Sequence, residues 1–161
     1  MSRVGRDALI LLVDDSVNDV ELALDAFSEG RLGNRVEVAR SGKDALDRLL
    51  GRTPGPDGEP MPLPDLILLD LKMPGIDGFE VLREIKGTPF LKRIPVTILT
   101  SSREEGDRAM SYDTGANSYL VKPVSFEGML KMVEGIEDYW LTINVGPPLP
   151  GDPRDGMTSH R

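Results

Sequence analysis

Five polar side chains in this chain stand where they could do chemistry together: Asp14, Asp15, Asp70, Thr100 and Lys122. Each position directly follows, or ends, a short apolar run: Ala8 to Val13, Leu66 to Leu69, Val96 to Leu99, and Ser118 to Val121. Three carboxylates brought within a few ångströms repel one another and would be forced partly protonated. A hard divalent cation relieves this. Magnesium, which takes few carboxylates, some water and a phosphate oxygen, suits an open acidic site. Lys122, held in direction by Pro123, offers a point charge for a phosphoryl oxygen. Thr100 beside the acids offers a phosphate-sensing hydrogen bond. Taken alone, Asp14-Asp15 reads equally well as a helix N-cap and solvated turn, because acids are common at helix N-termini. That reading weakens once Asp70 and Lys122 fall at equivalent ends of other strands.

The elements that must position these groups follow from hydrophobic period. Ala8 to Val13 is too short and too uniformly apolar for an amphipathic helix, and reads as a strand buried on both faces. Val20, Ala23, Leu24 and Phe27 then mark one helical face, which Gly30 and Gly33 are expected to stop. Val36 to Val38 is a short strand near an edge, and Ser41 with Asp44 predicts an N-cap before Ala45, Leu46 and Leu49. Residues 51–64, GRTPGPDGEPMPLP, cannot hold a helix or central strand and read as an inserted surface loop. The pattern then repeats: a strand at Leu66 to Leu69, a helix with Gly78, Val81, Leu82 and Ile85 inward, and a strand at Val96 to Leu99. Ser102 with Glu105 predicts a capping box for a short, weakly apolar helix. A fifth strand at Ser118 to Val121 precedes a helix from about Ser125, with Phe126, Met129, Leu130, Val133, Ile136 and Trp140 on one face.

Five β-then-α units imply an α/β fold, a parallel sheet with helices on both faces. In such sheets ligands bind at the carboxyl ends of the strands, which is where the five polar residues fall. Domain limits follow: a lead over 1–7, the domain over 8–141, and an extension over 142–161. Leu141, Ile143 and Val145 alternate in a strand-like period, and the Pro/Gly-rich end GPPLPGDPRDGMTSHR is expected to be a mobile tail.

Composition excludes several classes. There is no cysteine, so thiolate sites and disulfides are ruled out, and the only histidine is His160 near the end, which argues against histidine-based catalysis. Lys and Arg number 19 against 27 acids, a net charge of −8, which disfavours nucleic acid as a partner. No apolar stretch approaches the ~20 residues of a membrane span, and MSRVGRD lacks a signal-peptide core. A cytoplasmic protein is expected.

The strings LLVDDS, LILLDLKMPGIDGFEVLREIK, VTILTSS and YLVKP, in order and at suitable spacing over about residues 8–140, resemble the response-regulator receiver family of two-component signalling. The resemblance implies a flavodoxin-like (βα)5 fold with strand order 2-1-3-4-5. It implies that Asp70 accepts a phosphoryl group from a histidine kinase, and that Asp15, Asp70 and the Lys72 backbone carbonyl hold magnesium. Asp14 would act on the metal through water. Lys122, Thr100 and Lys72 would pair with the phosphoryl group, and Ser101 would leave room for a backbone N–H to reach it. Thr100 and Tyr119 would form the switch, and the Lys122–Pro123 bond would be cis. Lys72 and Ser102 match positions that tune hydrolysis; neither is a carboxylate or amide able to hold an attacking water, so slow dephosphorylation is expected. The run DDSVNDVELALDAF with EDYWLTIN is more particularly similar to stand-alone regulators that partner bacterial phytochrome kinases.

Rival classes are separable. A haloacid-dehalogenase-like phosphatase wants a second Asp where Lys72 stands, and neither GxxxxGK[ST] nor GxGxxG follows the first strand. A phosphorylation-independent binding module, or a phosphate sink for the kinase, is the remaining alternative. About twenty residues beyond the last helix are too few for an output domain. Output by protein contact is therefore expected, with a homodimer through the last helix and the extension. The protein would then be no enzyme beyond its own phosphorylation and dephosphorylation.

Overall fold

A computed structural model of the chain describes residues 8–30, 34–140 and 153–154. Strands β1 (Leu9–Val13), β2 (Arg35–Ala39), β3 (Leu66–Leu69), β4 (Val96–Thr100) and β5 (Ser118–Val121) alternate with helices α1 (Val17–Ser28), α2 (Gly42–Leu49), α3 (Gly78–Gly87), α4 (Glu105–Asp113) and α5 (Phe126–Asp138). All strand pairs are parallel, in the order β2-β1-β3-β4-β5, as expected.

The central strands are near-continuous apolar runs because both their faces are covered. Every residue of β1, β3 and β4 is buried, whereas the edge strands β2 and β5 are mostly half-buried. Alternation sends successive side chains to opposite faces. Ile10, Leu12, Leu66 and Leu68 meet Val20, Ala23 and Phe27 of α1 and Met129, Val133 and Ile136 of α5. Leu11, Val13, Ile67 and Leu69 meet Ala45, Leu46 and Leu49 of α2 and Val81, Leu82 and Ile85 of α3. Truncating any one of these large aliphatic residues to Ala costs on the order of 2–5 kcal/mol. Helix α4 is the exception: Ser111 is its one buried residue, and it leans on β5.

Caps set the helix starts. Ser16, Ser41, Asp77 and Ser125 each accept the backbone N–H three residues on, so the expected Ser41 and Ser125 starts hold. The expected Ser102–Glu105 box does not form. Helix α4 begins at Glu105 with Glu104 at the cap and no side-chain cap bond. Ser102 therefore lies too far upstream to reach the third helical N–H. Its hydroxyl instead donates to Asp107 Oδ2 at 2.6 Å and accepts from the Glu104 N–H at 3.2 Å. Helix α1 ends at Ser28 with Glu29 as cap; Gly30 follows, while Gly33 lies outside the described residues. Gly30 is not in a left-handed turn; a Cβ there would meet only the movable end of the Glu137 side chain. Gly78 matters for the site. A side chain there would strike the Asp70 carbonyl, so only glycine lets α3 start against the loop leaving β3.

The inserted loop folds back on itself. Pro54 and Pro60 form an isolated antiparallel bridge, and the Gly55 N–H donates to the Glu59 carbonyl at 2.7 Å. The tail expectation needs correction at its described residues. Arg154 is 2% exposed, and its guanidinium donates to the carbonyls of Arg48 (3.1 Å), Leu49 (3.4 Å) and Met61 (2.8 Å). The last carbonyls of α2 lack intrahelical donors and sit at the negative end of its dipole, which is what anchors this arginine. Leu141, Ile143 and Val145 lie outside the described residues.

Candidate functional site

Three parallel ladders run one residue past the strands and deliver the site. The Asp14 N–H donates to the Ala39 carbonyl (3.0 Å), that of Asp70 to Val13 (3.0 Å), and that of Lys122 to Thr100 (2.8 Å). Extended backbone therefore aims Asp14, Asp70 and Lys122 from three strands at one sheet edge. Asp14 and Asp70 are buried at 2% and 6% exposure, while Asp15 is exposed. One carboxylate oxygen from each of Asp14, Asp15 and Asp70 lies within 4.8 Å of the others. Two acids and the neighbouring lysine thus converge as expected, with Asp15 completing the cluster from the solvent side.

The Lys122 ammonium closes the site. It lies 2.8 Å from Asp14 Oδ2, 3.1 Å from Asp70 Oδ2 and 2.8 Å from Asp19 Oδ2, with 8% of its side chain exposed. Burial alone would lower its pKa, but hydrogen bonds to Asp14 and Asp19 and the Asp70 charge outweigh that and hold it above the ordinary lysine range. Asp14 is pushed above the usual carboxylate value by burial, against the Lys122 hydrogen bond. Both directions follow from packing charge into a place with little water.

Asp19 was not singled out by sequence reasoning. It sits in the first turn of α1, where its N–H is capped by Ser16 Oγ at 3.3 Å. The signal available was its position: Ser16 and Asp19 have capping-box spacing directly after the acidic pair, so an acid in that turn overhangs the strand end.

The other expected residues fall around this centre. Thr100 is fully buried, and its Oγ1 accepts the Ser102 N–H at 3.4 Å. Tyr119 donates its hydroxyl to the Ser102 carbonyl at 3.0 Å. Both switch candidates therefore grip the backbone of one residue, Ser102, through its two flanking peptide units. Ser101 is exposed at the rim. The Lys72 N–H donates to Asp70 Oδ1 at 3.4 Å, but its side chain turns outward to Asp107 of α4 at 3.1 Å. That contact raises the Lys72 pKa; bonds from Ser102 first, and from Lys72, lower that of Asp107. The Lys122–Pro123 bond is trans, not cis. Trans is the favoured isomer even before proline, and Lys122 reaches all three carboxylates from it.

A doubly covered parallel sheet with an acidic triad and a buried lysine at its carboxyl edge defines a phosphoryl-accepting switch. The family model for the response regulator receiver domain matches residues 10–134, and the chain belongs to that family. The probable methanogenesis regulatory protein FilR2 of Methanothrix harundinacea is 42% identical over 139 residues, 86% of this chain and 87% of the relative. Response regulator Rcp1 of Synechocystis sp. is 42% identical over 133 residues, 83% of this chain and 88% of its own. The crystal structure of the Mn2+-bound form of Rcp1 matches with a TM-score of 0.77 at 40% identity, covering 88% of this chain and 99% of that one. The phosphorylated cyanobacterial phytochrome response regulator RcpA gives 0.79 at 39%, with the same coverage. The bacteriophytochrome response regulator AtBRR gives 0.66 at 42%, covering 87% and 99%.

The protein is thus a receiver-domain response regulator with a phospho-accepting role in two-component signalling, resembling the stand-alone regulators of phytochrome systems. The phosphorylation-independent reading is not favoured. Receiver domains bind Mg2+ at the acidic pocket, and the three clustered carboxylates here fit that ion: hard oxygen donors, few in number, one of them open to water. No helix of the described residues is long and apolar enough to cross a membrane.

Proposed function

We propose that Asp70 is the phosphoacceptor and that Lys122 is its phosphate-pairing cation. The observation that carries this is the 3.1 Å contact between Lys122 Nζ and Asp70 Oδ2 inside the carboxylate triad. An Asp70 carboxylate oxygen attacks the phosphorus of a kinase phosphohistidine, the P–N bond breaks, and the leaving imidazole takes a proton from water. Asp15, Asp70 and the Lys72 carbonyl would hold magnesium, and Asp14 would act on it through water. When bound, the ion neutralises phosphoryl oxygens that would otherwise face three acids. Lys122 binds one such oxygen; Ser101 leaves the backbone open to another.

Switching follows from the Ser102 backbone. Thr100 Oγ1 and the Tyr119 hydroxyl hold its N–H and carbonyl in the unphosphorylated protein. A phosphoryl group drawing Thr100 inward takes away the N–H acceptor, loosens the β4–α4 turn and lets Tyr119 move. Helix α4, with little buried surface, is the element this biases.

The donor is a histidine kinase, and the relatives that are phytochrome regulators favour a bacteriophytochrome. The receiver domain spans 8–141, with 142–161 an extension that joins α5 in a homodimer; the exposed ring of Tyr139 at the end of α5 supports that surface. The protein works in the cytoplasm, without nucleic acid, and catalyses only its own phosphorylation and dephosphorylation, the latter slowly because Lys72 and Ser102 hold no attacking water.

Incubation with a small acyl phosphate and Mg2+ tests the assignment by intact mass. Wild type gains one phosphoryl group and Asp70→Asn gains none. An equal gain in the variant contradicts the assignment. A half-life of seconds for the acyl phosphate would remove the slow-hydrolysis expectation, and a monomer mass before and after phosphorylation would remove the dimer.

A further inference from the structure

We infer that Asp19 is a positioning residue for phosphoryl transfer, acting through Lys122; the inference rests on Asp70 being the acceptor. An ammonium has three donor protons, and three carboxylate oxygens surround Lys122 Nζ: Asp14 and Asp19 at 2.8 Å and Asp70 at 3.1 Å. Hydrogen bonds to Asp19 and Asp70 and an ion pair with Asp14 occupy the ammonium before any phosphoryl oxygen arrives. Phosphorylation neutralises the Asp70 carboxylate. Of the two acids that keep their charge, one must yield if the phosphoryl oxygens are to take more than the place Asp70 vacates.

The three acids are not equivalent. The side chains of Asp14 and Asp70 are 3% and 8% exposed, whereas that of Asp19 is 40% exposed. A carboxylate that leaves Lys122 must be rehydrated, and only Asp19 already faces water. Asp14 and Asp70 also belong to the acidic cluster that fits magnesium; Asp19 does not. Its backbone is pinned in the first turn of α1 by Ser16 Oγ, so a helix rather than a loop holds its carboxylate against the ammonium. Asp19 therefore keeps Lys122 aimed at Asp70 in the resting site and is the partner exchanged for the phosphoryl oxygen. Its charge sits at the mouth of the site, where it attracts a divalent cation and opposes an anionic donor.

Asp19→Asn keeps an acceptor atom and removes the charge. The phosphorylation rate constant at saturating small acyl phosphate and Mg2+ is expected to fall about fivefold, because Lys122 is no longer held toward Asp70. The calorimetric Kd for Mg2+ of the unphosphorylated protein is expected to rise by about the same factor, the scale of one unit charge several ångströms away. Asp19→Glu returns both toward wild type. Ser16→Ala, which removes the cap and spares the carboxylate, lowers the melting temperature and moves both constants by much less than the charge-removing variants. Asp19→Ser, which keeps a small polar side chain in the first turn, gives the same reading if the Asn variant folds poorly. Both constants staying within about twofold of wild type in the charge-removing variants, or the same shifts in Ser16→Ala, overturns the role of Asp19. Asp70→Asn, run beside them, separates the two ideas: loss of phosphorylation there leaves the acceptor standing, and retention removes it.

Discussion

Two lysines, one at each end of the sheet, make the same number of short contacts and have opposite electrostatics. Lys122 at the carboxyl edge touches three carboxylates. Lys86, at the other end, donates to the carbonyls of Lys92 and Ile94, both at 3.1 Å, and to Asn117 Oδ1 at 3.3 Å. Among the described residues no carboxylate pairs with it. Burial lowers the Lys86 pKa, whereas the surrounding acids raise that of Lys122 despite burial. Lys86 ties α3 to the loops before β4 and β5 and stores no charge imbalance. Lys122 balances acids that cannot stay together without it, so its site is stable only when some cation is present. That dependence is what makes one edge a switch and the other a staple.

Removing the two amines breaks the comparison most sharply. Lys122→Met should lose about 3–5 kcal/mol in urea unfolding at neutral pH, because buried acids are left unpaired, and Mg2+ should restore much of it. Asp14 is already above its usual value; without Lys122 it rises further, and the folded state binds more protons than the unfolded one in weak acid. Stability of this variant should therefore rise, relative to wild type, as pH falls from 7 toward the carboxylate range.

Arg154→Ala, which removes a third buried cation, should cost about 2 kcal/mol through the carbonyls it leaves unpaired. Hydrogen exchange should quicken at the end of α2 and around Met61. Lys86→Met should cost about 1–2 kcal/mol with no response to Mg2+. Its pH dependence has the same sign as that of the Lys122 variant but lies in the lysine range rather than in weak acid. A folded pKa below the ordinary 10.5 means the unfolded state binds more protons in that window. Wild type should then gain stability over Lys86→Met as pH rises from neutral toward 10.5. Asp107→Asn, at an ion pair whose Lys72 end is open to water, leaves an amide that can still accept the Ser102 hydroxyl and should change stability by about 1 kcal/mol or less.

What the sequence made legible is what local pattern encodes. The apolar runs of β1, β3 and β4 marked buried parallel strands, and the residue after each run marked the site edge, so Asp14, Asp70, Thr100 and Lys122 could be read without coordinates. Partners contributed by other elements were not legible. Asp19 looks like any acid in a first helical turn until β5 brings Lys122 over it. Arg154 looks like one polar residue in a Pro/Gly-rich end until α2 offers its last carbonyls. Ser102 carried the right spacing for a capping box, but Asp107 took its hydroxyl and the helix started later. The Lys122–Pro123 isomer was a family expectation that nothing in the local sequence demanded.

The position of the phosphoryl group decides whether Asp70 is the acceptor. Phosphorylating the protein in Mg2+, reducing the acyl phosphate with borohydride and sequencing the peptides by mass spectrometry locates it. Reduction confined to residue 70 is the predicted result; a reduced residue at Asp14, Asp15 or Asp19, with Asp70 unchanged, would contradict it.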